Sequence, residues 1–231
     1  MNLDFQAGEI LLVDKPYRWT SFDVVNKLRW NLKQKYGVKN FKVGHAGTLD
    51  PLATGLLIIC TGKATKKIPD FVMDDKIYTG TFLLGKTTPC FDLEKPFDDI
   101  EYETVHITEE MLQETVQSFI GQQEQLPPIF SAKKIDGKRA YDSAREGKEV
   151  ILKPNTIEIK EFTIKTDNFP EISFHIHCTK GTYIRSIAND FGKKLQSGAT
   201  LTSLNRIQSG DYSIKNAKSV DEWIEIINGE D

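Results

Sequence analysis

The chain has 231 residues, 39% of them hydrophobic and 27% charged, with a net charge of −3. That is the composition of a globular protein with a real core, and it excludes disordered and collagen-like chains. The opening Met1-Asn2-Leu3-Asp4-Phe5-Gln6 has no basic n-region, and the apolar runs at 10–13 and 56–60 are too short to cross a bilayer. The sequence therefore reads as soluble and cytoplasmic, with no membrane partner. Cys60, Cys90 and Cys178 are an odd, dispersed set without a C-x-x-C pair, which suggests neither a disulfide framework nor a thiolate zinc site.

Charge is unevenly spread. Between Asn26 and Lys42 there are six basic residues (Lys27, Arg29, Lys33, Lys35, Lys39, Lys42) and no acid. Between Ser131 and Lys153 seven basic residues face four acids, with Tyr141 among them. Nine acids crowd the stretch from Asp92 to Glu114 against Lys95 alone. Segregation of this kind allows one basic surface to follow phosphates while the rest of the molecule is acidic, although solvated helix faces give the same pattern.

In chain order, "GEILLVDKP" predicts a strand over Glu9 to Asp14, stopped by Pro16. A helix follows, capped by Thr20 or Ser21, with Phe22, Val25, Leu28 and Leu32 as its apolar stripe. "KIYTGTFLLG" alternates as a strand, and Thr108 opens a helix with Met111, Leu112, Thr115, Val116 and Phe119 inward until Gly121. The Pro127 to Gly147 stretch, with its Pro-Pro pair and dense Lys and Arg, predicts an excursion able to close over a ligand. "EISFHIHC" is a strand with Ile172, Phe174, Ile176 and Cys178 on one face. A helix stacking Ile184, Ile187, Ala188, Phe191 and Leu195 comes next, and a last helix starts at the Ser219-x-x-Glu222 capping box. Strands and helices mix without a βαβ repeat, so the expected class is α+β with a largely antiparallel sheet.

Several motifs carry little. "TGKATK" lacks the leading glycine and the Lys-Ser/Thr pair of a P-loop. His175 and His177 form an H-x-H on one strand face without a third metal ligand at useful spacing, so no metal site is expected. "GHAGTLDPLATGLL" is more informative. Pro51 biases Asp50 toward extended backbone, and Gly44, Gly47 and Gly55 allow close approach of another chain, so the carboxylate should stand on a rigid loop beside a sheet. By itself this loop is equally compatible with an Asp that bonds its own turn.

Five motifs in order give the chain a resemblance to the bacterial tRNA pseudouridine synthase B (TruB) family, from about Gly8 to about Ile214. "GEILLVDKP" with Thr20 and Ser21 looks like the family's opening strand and turn, and "GHAGTLDPLATGLL" like its catalytic loop. "DKIYTGTFLLGKTT" resembles the strand bearing its active-site tyrosine. "QLPPIFSAKKIDGKRAYDSAREG" resembles its RNA-gripping thumb, here about 127–150, and "CTKGTYIRSIANDFG" the stretch bearing its active-site arginine.

The resemblance implies the pseudouridine synthase fold, a mixed, largely antiparallel sheet flanked by helices, and isomerisation of uridine to pseudouridine at tRNA position 55, in the T-loop, without a cofactor. Asp50 matches the catalytic aspartate, which either adds at C1′ of the ribose or first promotes loss of a sugar proton. Arg185 matches the arginine that keeps that carboxylate ionised, and Tyr78 the tyrosine that stacks on the target base. His45 matches a histidine touching the flipped nucleotides and Leu204 an apolar residue lining the uracil pocket. Lys15 and Asp92 lie in matching motifs that order the site, while Lys133, Lys134, Lys138 and Arg139 belong to the thumb. The expected partner is the T-arm of tRNA, and the expected state is a monomer with no obligate protein partner. Typical members carry a C-terminal RNA-binding (PUA) domain, whereas about 25 residues follow Arg206. The expectation is therefore one catalytic domain over 1–231, without PUA. Rival readings are a non-catalytic RNA-binding module, a glycoside hydrolase, for which no second acid is evident, and a sister synthase acting on another RNA.

Overall fold

The computed structural model describes residues 3–128, 134–135, 138–139 and 153–229. Among them no helix is long and apolar enough to cross a membrane. The chain divides into two compact units, Met1–Thr79 with Leu204–Asp231, and Gly80–Ser203.

The first unit is built on β3 (Ala53–Thr61), whose run of apolar residues reflects cover on both faces. One edge of β3 pairs antiparallel with β1 (Ile10–Lys15) along its length. The other edge is divided. β2 (Val43–Ala46) pairs antiparallel with it from Thr61 to Ile58, and β10 (Ala199–Ser209) pairs parallel through Leu204, Asn205 and Arg206 opposite Ala53, Thr54 and Gly55. The loop at 47–52 springs from the seam where β2 ends and β10 begins. β11 (Tyr212–Ser213) extends β10.

Helix α1 (Ser21–Tyr36) covers one face. Thr20 caps it through a reciprocal box with Asp23, and Gly37 ends it in the left-handed region at φ 61°. Its inward stripe is Val24, Val25, Leu28, Asn31 and Leu32, and Phe22 is 57% exposed. The expected stripe was rotated at its first turn, because the cap puts Ser21 inside, where its hydroxyl donates to Leu49 O and accepts from Leu49 N. The last helix, numbered α5 below (Val220–Asn228), packs beside α1 with its predicted Ser219–Glu222 box in place. Trp223 and Ile227 join the core, and Trp223 Nε1 donates to Leu12 O. The opposite face is covered by the 3-10 segment Gly62–Lys67 and α2 (Ile68–Met73).

In the second unit the strand order is β10, β4 (Lys76–Leu84), β9 (Glu171–Cys178), β8 (Asn155–Asn168), β5 (Gly121–Gln125). α3 (Glu109–Gln117) and α4 (Ile184–Lys194) supply its helices. Both predicted apolar helix stripes are buried except Met111. The core is aromatic: Phe82 stacks on Phe174 at 4.3 Å, with Phe162, Phe191 and Phe119 around them. Of the thumb, only two short paired strands are described, β6 (Lys134–Ile135) and β7 (Lys138–Arg139). Lys133 and the other thumb residues between 129 and 150 lie outside the described residues. The three cysteines are buried, and burial pushes the Cys60 thiol up to about 11.

Phe82→Ala removes the ring that three other phenylalanines contact, so equilibrium urea unfolding should show a loss of about 3–5 kcal/mol. A loss below about 1 kcal/mol would contradict this packing.

Candidate active site

Asp50 stands half-buried in the seam loop, and its backbone carbonyl accepts from Ala53 N. Leu49 O accepts from Ser21 Oγ and Pro51 O from Arg18 N, and two buried cations add donors to Pro51 O and Gly47 O. Lys15, at the end of β1, is fully buried, and its Nζ donates to Pro16 O at 3.0 Å, to Trp19 O and to Pro51 O at 3.4 Å. Arg206, on β10 and 1% exposed, donates from Nε to Leu56 O at 2.8 Å and from Nη2 to Gly47 O at 3.0 Å. One guanidinium thus ties the start of the loop to β3.

The glycines make this possible. Gly55 has φ 101°, and a Cβ there would collide with Asn205 Oδ1 and Arg206 O across the parallel pairing. Gly47 has φ 76°, and a Cβ there would crowd Arg206 Nη1 at 3.2 Å. The loop is rigid because its glycines admit the strand and the guanidinium that grip it.

Two buried positive charges beside one carboxylate set the local electrostatics. The Lys15 ammonium is lowered to about 8, by burial first and also by Arg206, against the opposing pull of Asp50 and Asp23. Burial and Arg206 also lower the His45 pKa, so its imidazole is neutral at pH 7. His45 Nδ1 is buried with no hydrogen-bond partner among the described residues. Tyr78 is buried on β4 at 8% exposure, and Leu204 is partly buried opposite Ala53.

In the second unit Arg185 lies in the first turn of α4, where a cation runs against the helix dipole, and it is only 4% exposed. Neither position is chosen for stability. Asp92 compensates, with its Oδ2 3.6 Å from Arg185 Nε, and Cys90 O accepts from Nη1 at 3.3 Å. The Asp92 turn is itself fixed, since its backbone carbonyl accepts from Thr88 Oγ1 and its Oδ1 accepts from Glu94 N. No side chain of the N-cap residue closes α4. Gln125 instead bonds both Tyr183 N and Tyr183 O, and Ser186 Oγ donates to Leu126 O.

The structure brings Lys15, His45 and Asp50 together in one unit and Asp92 and Arg185 in the other. Arg206 was not foreseen as a site residue, because a lone arginine in a polar strand reads as surface. His175 lies on β9 with Nδ1 3.6 Å from Glu161 Oε1, and no cluster of three or more metal-ligating side chains occurs among the described residues.

The fold is that of the pseudouridine synthases. An archaeal box H/ACA Nop10–Cbf5 complex aligns at TM-score 0.67 with 20% identity, over 97% of this chain and 55% of that one. A Cbf5–Nop10–Gar1 complex aligns at 0.70 with 24% identity, over 97% and 57%. The chain thus spans little more than half of either solved chain. Residues 33–184 match the model of the TruB family pseudouridylate synthase, N-terminal domain, and the chain belongs to that family. It is 54% identical over 226 residues to a protein named tRNA pseudouridine synthase B from Phocaeicola vulgatus, covering 96% of each chain. A protein of the same name from Flavobacterium johnsoniae is 53% identical over 93% of each.

Two expectations follow. Lys15, followed by NMR of its 13Cε, should titrate near pH 8, and Asp50→Asn should lower that midpoint by removing an attractive charge; an unchanged or raised midpoint would refute the coupling. Arg206→Lys keeps the charge but cannot span two carbonyls, so a drop of about 1–3 kcal/mol in urea unfolding and a fall in kcat are expected. Wild-type stability and turnover would show that the brace is dispensable.

Proposed function

We propose that this chain isomerises uridine to pseudouridine at position 55 in the T-loop of tRNA, acting over residues 1–231 as one catalytic domain, a cytoplasmic monomer without cofactor or obligate protein partner. The observation that carries the reading is Asp50, held on a loop tied by Lys15 and Arg206, in a chain 54% identical to a tRNA pseudouridine synthase B.

The reaction breaks the C1′–N1 bond, turns the uracil, and joins C5 to C1′; the C5 proton leaves and N1 gains one, so atoms balance without redox change. A carboxylate suits this because it can act as nucleophile and be expelled, or accept a sugar proton; either route requires it ionised. Lys15 and Arg206 supply positive potential from behind the loop, and the family resemblance gives Arg185 the same task from its own unit, where Asp92 orients it. Tyr78 offers a ring for base stacking, and Leu204 an apolar contact for the uracil. The family resemblance gives the neutral His45 a contact with the flipped nucleotides. Extrusion costs a few kcal/mol, which phosphate contacts, the thumb residues Lys133, Lys134, Lys138 and Arg139 among them, must offset.

Asp50→Asn should abolish pseudouridine formation, read by mass spectrometry of labelled tRNA, while RNA affinity stays within about threefold; retained turnover would sink the assignment. A T-arm hairpin should be nearly as good a substrate as whole tRNA. If kcat/KM on the hairpin is a hundredfold or more lower, contacts beyond the T-arm contribute about 2.7 kcal/mol and the proposed reach is wrong.

A further inference from the structure

The start of α4 is attached to the sheet by bonds that the helix itself does not need. Tyr183 is its N-cap residue and Ser186 its third helical position, so Arg185 lies between them in the first turn. Elsewhere in the chain the reciprocal bonds of a helix start are local, Thr20 with Asp23 at α1 and Ser219 with Glu222 at α5. At α4 every local candidate is turned elsewhere. The Tyr183 side chain caps nothing, Thr182 Oγ1 donates back to Thr179 O at 2.8 Å, and Ser186 Oγ donates outward to Leu126 O at 2.7 Å.

Gln125, the last residue of β5, takes over from 58 positions away. Its Oε1 accepts from Tyr183 N at 2.7 Å, the bond that a capping-box side chain would supply. Its Nε2 donates to Tyr183 O at 3.1 Å, although that carbonyl already accepts from Ile187 N along the helix. This second bond is surplus to helix formation. With the bond from Ser186 to Leu126 it ties the first turn to β5 on both sides of Arg185 in the chain. Asn155, the β8 partner of Gln125, adds a longer contact from Nδ2 to Gly181 O at 3.5 Å. A local cap would satisfy the same N–H group and leave the helix free to shift against the sheet. Gln125 and Ser186 are both buried, so neither the amide nor the hydroxyl can turn to water instead.

We propose that Gln125 and Ser186 are positioning residues of the isomerisation, acting through Arg185 by locking the first turn of α4 to the end of β5. The inference rests on the role given to Arg185 above. Displacing such a group by about 1 Å costs up to about a hundredfold in rate, so the bonds act on turnover more than on RNA affinity.

The test is Gln125→Met, which keeps the length of the side chain but has no amide, beside Ile227→Ala, a core change in the other unit that destabilises without touching α4. Three quantities are read: kcat on tRNA, the Kd for tRNA, and the position of the Arg185 Nε–Hε signal in 15N NMR spectra, identified by its loss in Arg185→Lys. Gln125→Met should lower kcat by about twentyfold or more with Kd within about threefold of wild type, and should move the Arg185 signal. Ser186→Ala should lower kcat by about threefold or more and move the same signal, whereas Ile227→Ala should leave the signal in place and kcat within about threefold. Wild-type kcat in Gln125→Met overturns the proposal, and so does an equal fall in Ile227→Ala, which would mark the effect as one of general stability. If Gln125→Met fails to fold, judged by its urea midpoint, an unchanged kcat and signal in Ser186→Ala are equally fatal. A wild type that forms no pseudouridine, or an Arg185→Lys variant with full turnover, defeats the reading of Arg185 instead; the attachment is then judged on the NMR signal, upheld if Gln125→Met moves it and overturned if not.

Discussion

Two buried cations clasping backbone carbonyls are the constraint on which the first unit depends. A loop rich in glycine and proline that presents a carboxylate cannot borrow ladder hydrogen bonds from a sheet, and an inward carbonyl without a donor costs about 1–3 kcal/mol. Lys15 and Arg206 solve both problems together, giving the carbonyls donors and the carboxylate a positive background. Burying the ammonium costs solvation, and the Lys15 pKa is lowered chiefly for that reason. A hydrophobic residue of equal volume at either position would remove donors from those carbonyls, so the two cations hold the loop as well as charging its surroundings.

The same logic recurs with different chemistry in the second unit. Arg185 sits where the dipole and burial both disfavour it, and Asp92, Cys90 O and a helix start closed by Gln125 and Ser186 keep it there. In each unit the charged side chain is fixed by partners of that unit, before any substrate contact. Preorganisation of this kind lowers the reorganisation needed when charge develops. Placing a charge where local rules forbid it is the usual mark of function.

What could be read from sequence divides along physical lines. Helices with a 3.6-residue stripe were legible: α4 packs as its residues predict and α5 also begins at its predicted capping box, because periodicity and cap chemistry are both local, whereas the start of α4 is closed by the distant Gln125. β9 was legible through strict alternation. β8 was not, because a bulge between Ile159 and Glu161 breaks its period, nor was β10, whose Thr, Ser and Asn residues disguise a strand with parallel and antiparallel neighbours. Asp50 was singled out by its glycines and by family likeness. Arg206 was invisible because its value comes from Gly47 and Leu56, far away in the chain, and no local pattern announces such a contact.

That separation has a temporal side. The loop bearing Asp50 leaves the ribosome long before its clasp, since 159 positions separate Gly47 from Arg206. At about 5–20 residues per second, the nascent loop waits roughly 10–30 s for its guanidinium, and pairing a parallel strand across so long a span is intrinsically slow. A growing polypeptide already displaying the aspartate therefore holds its loop without the guanidinium that clasps it. The two halves of the brace meet only after β10 has been made, and a chain ending before Arg206 never acquires it.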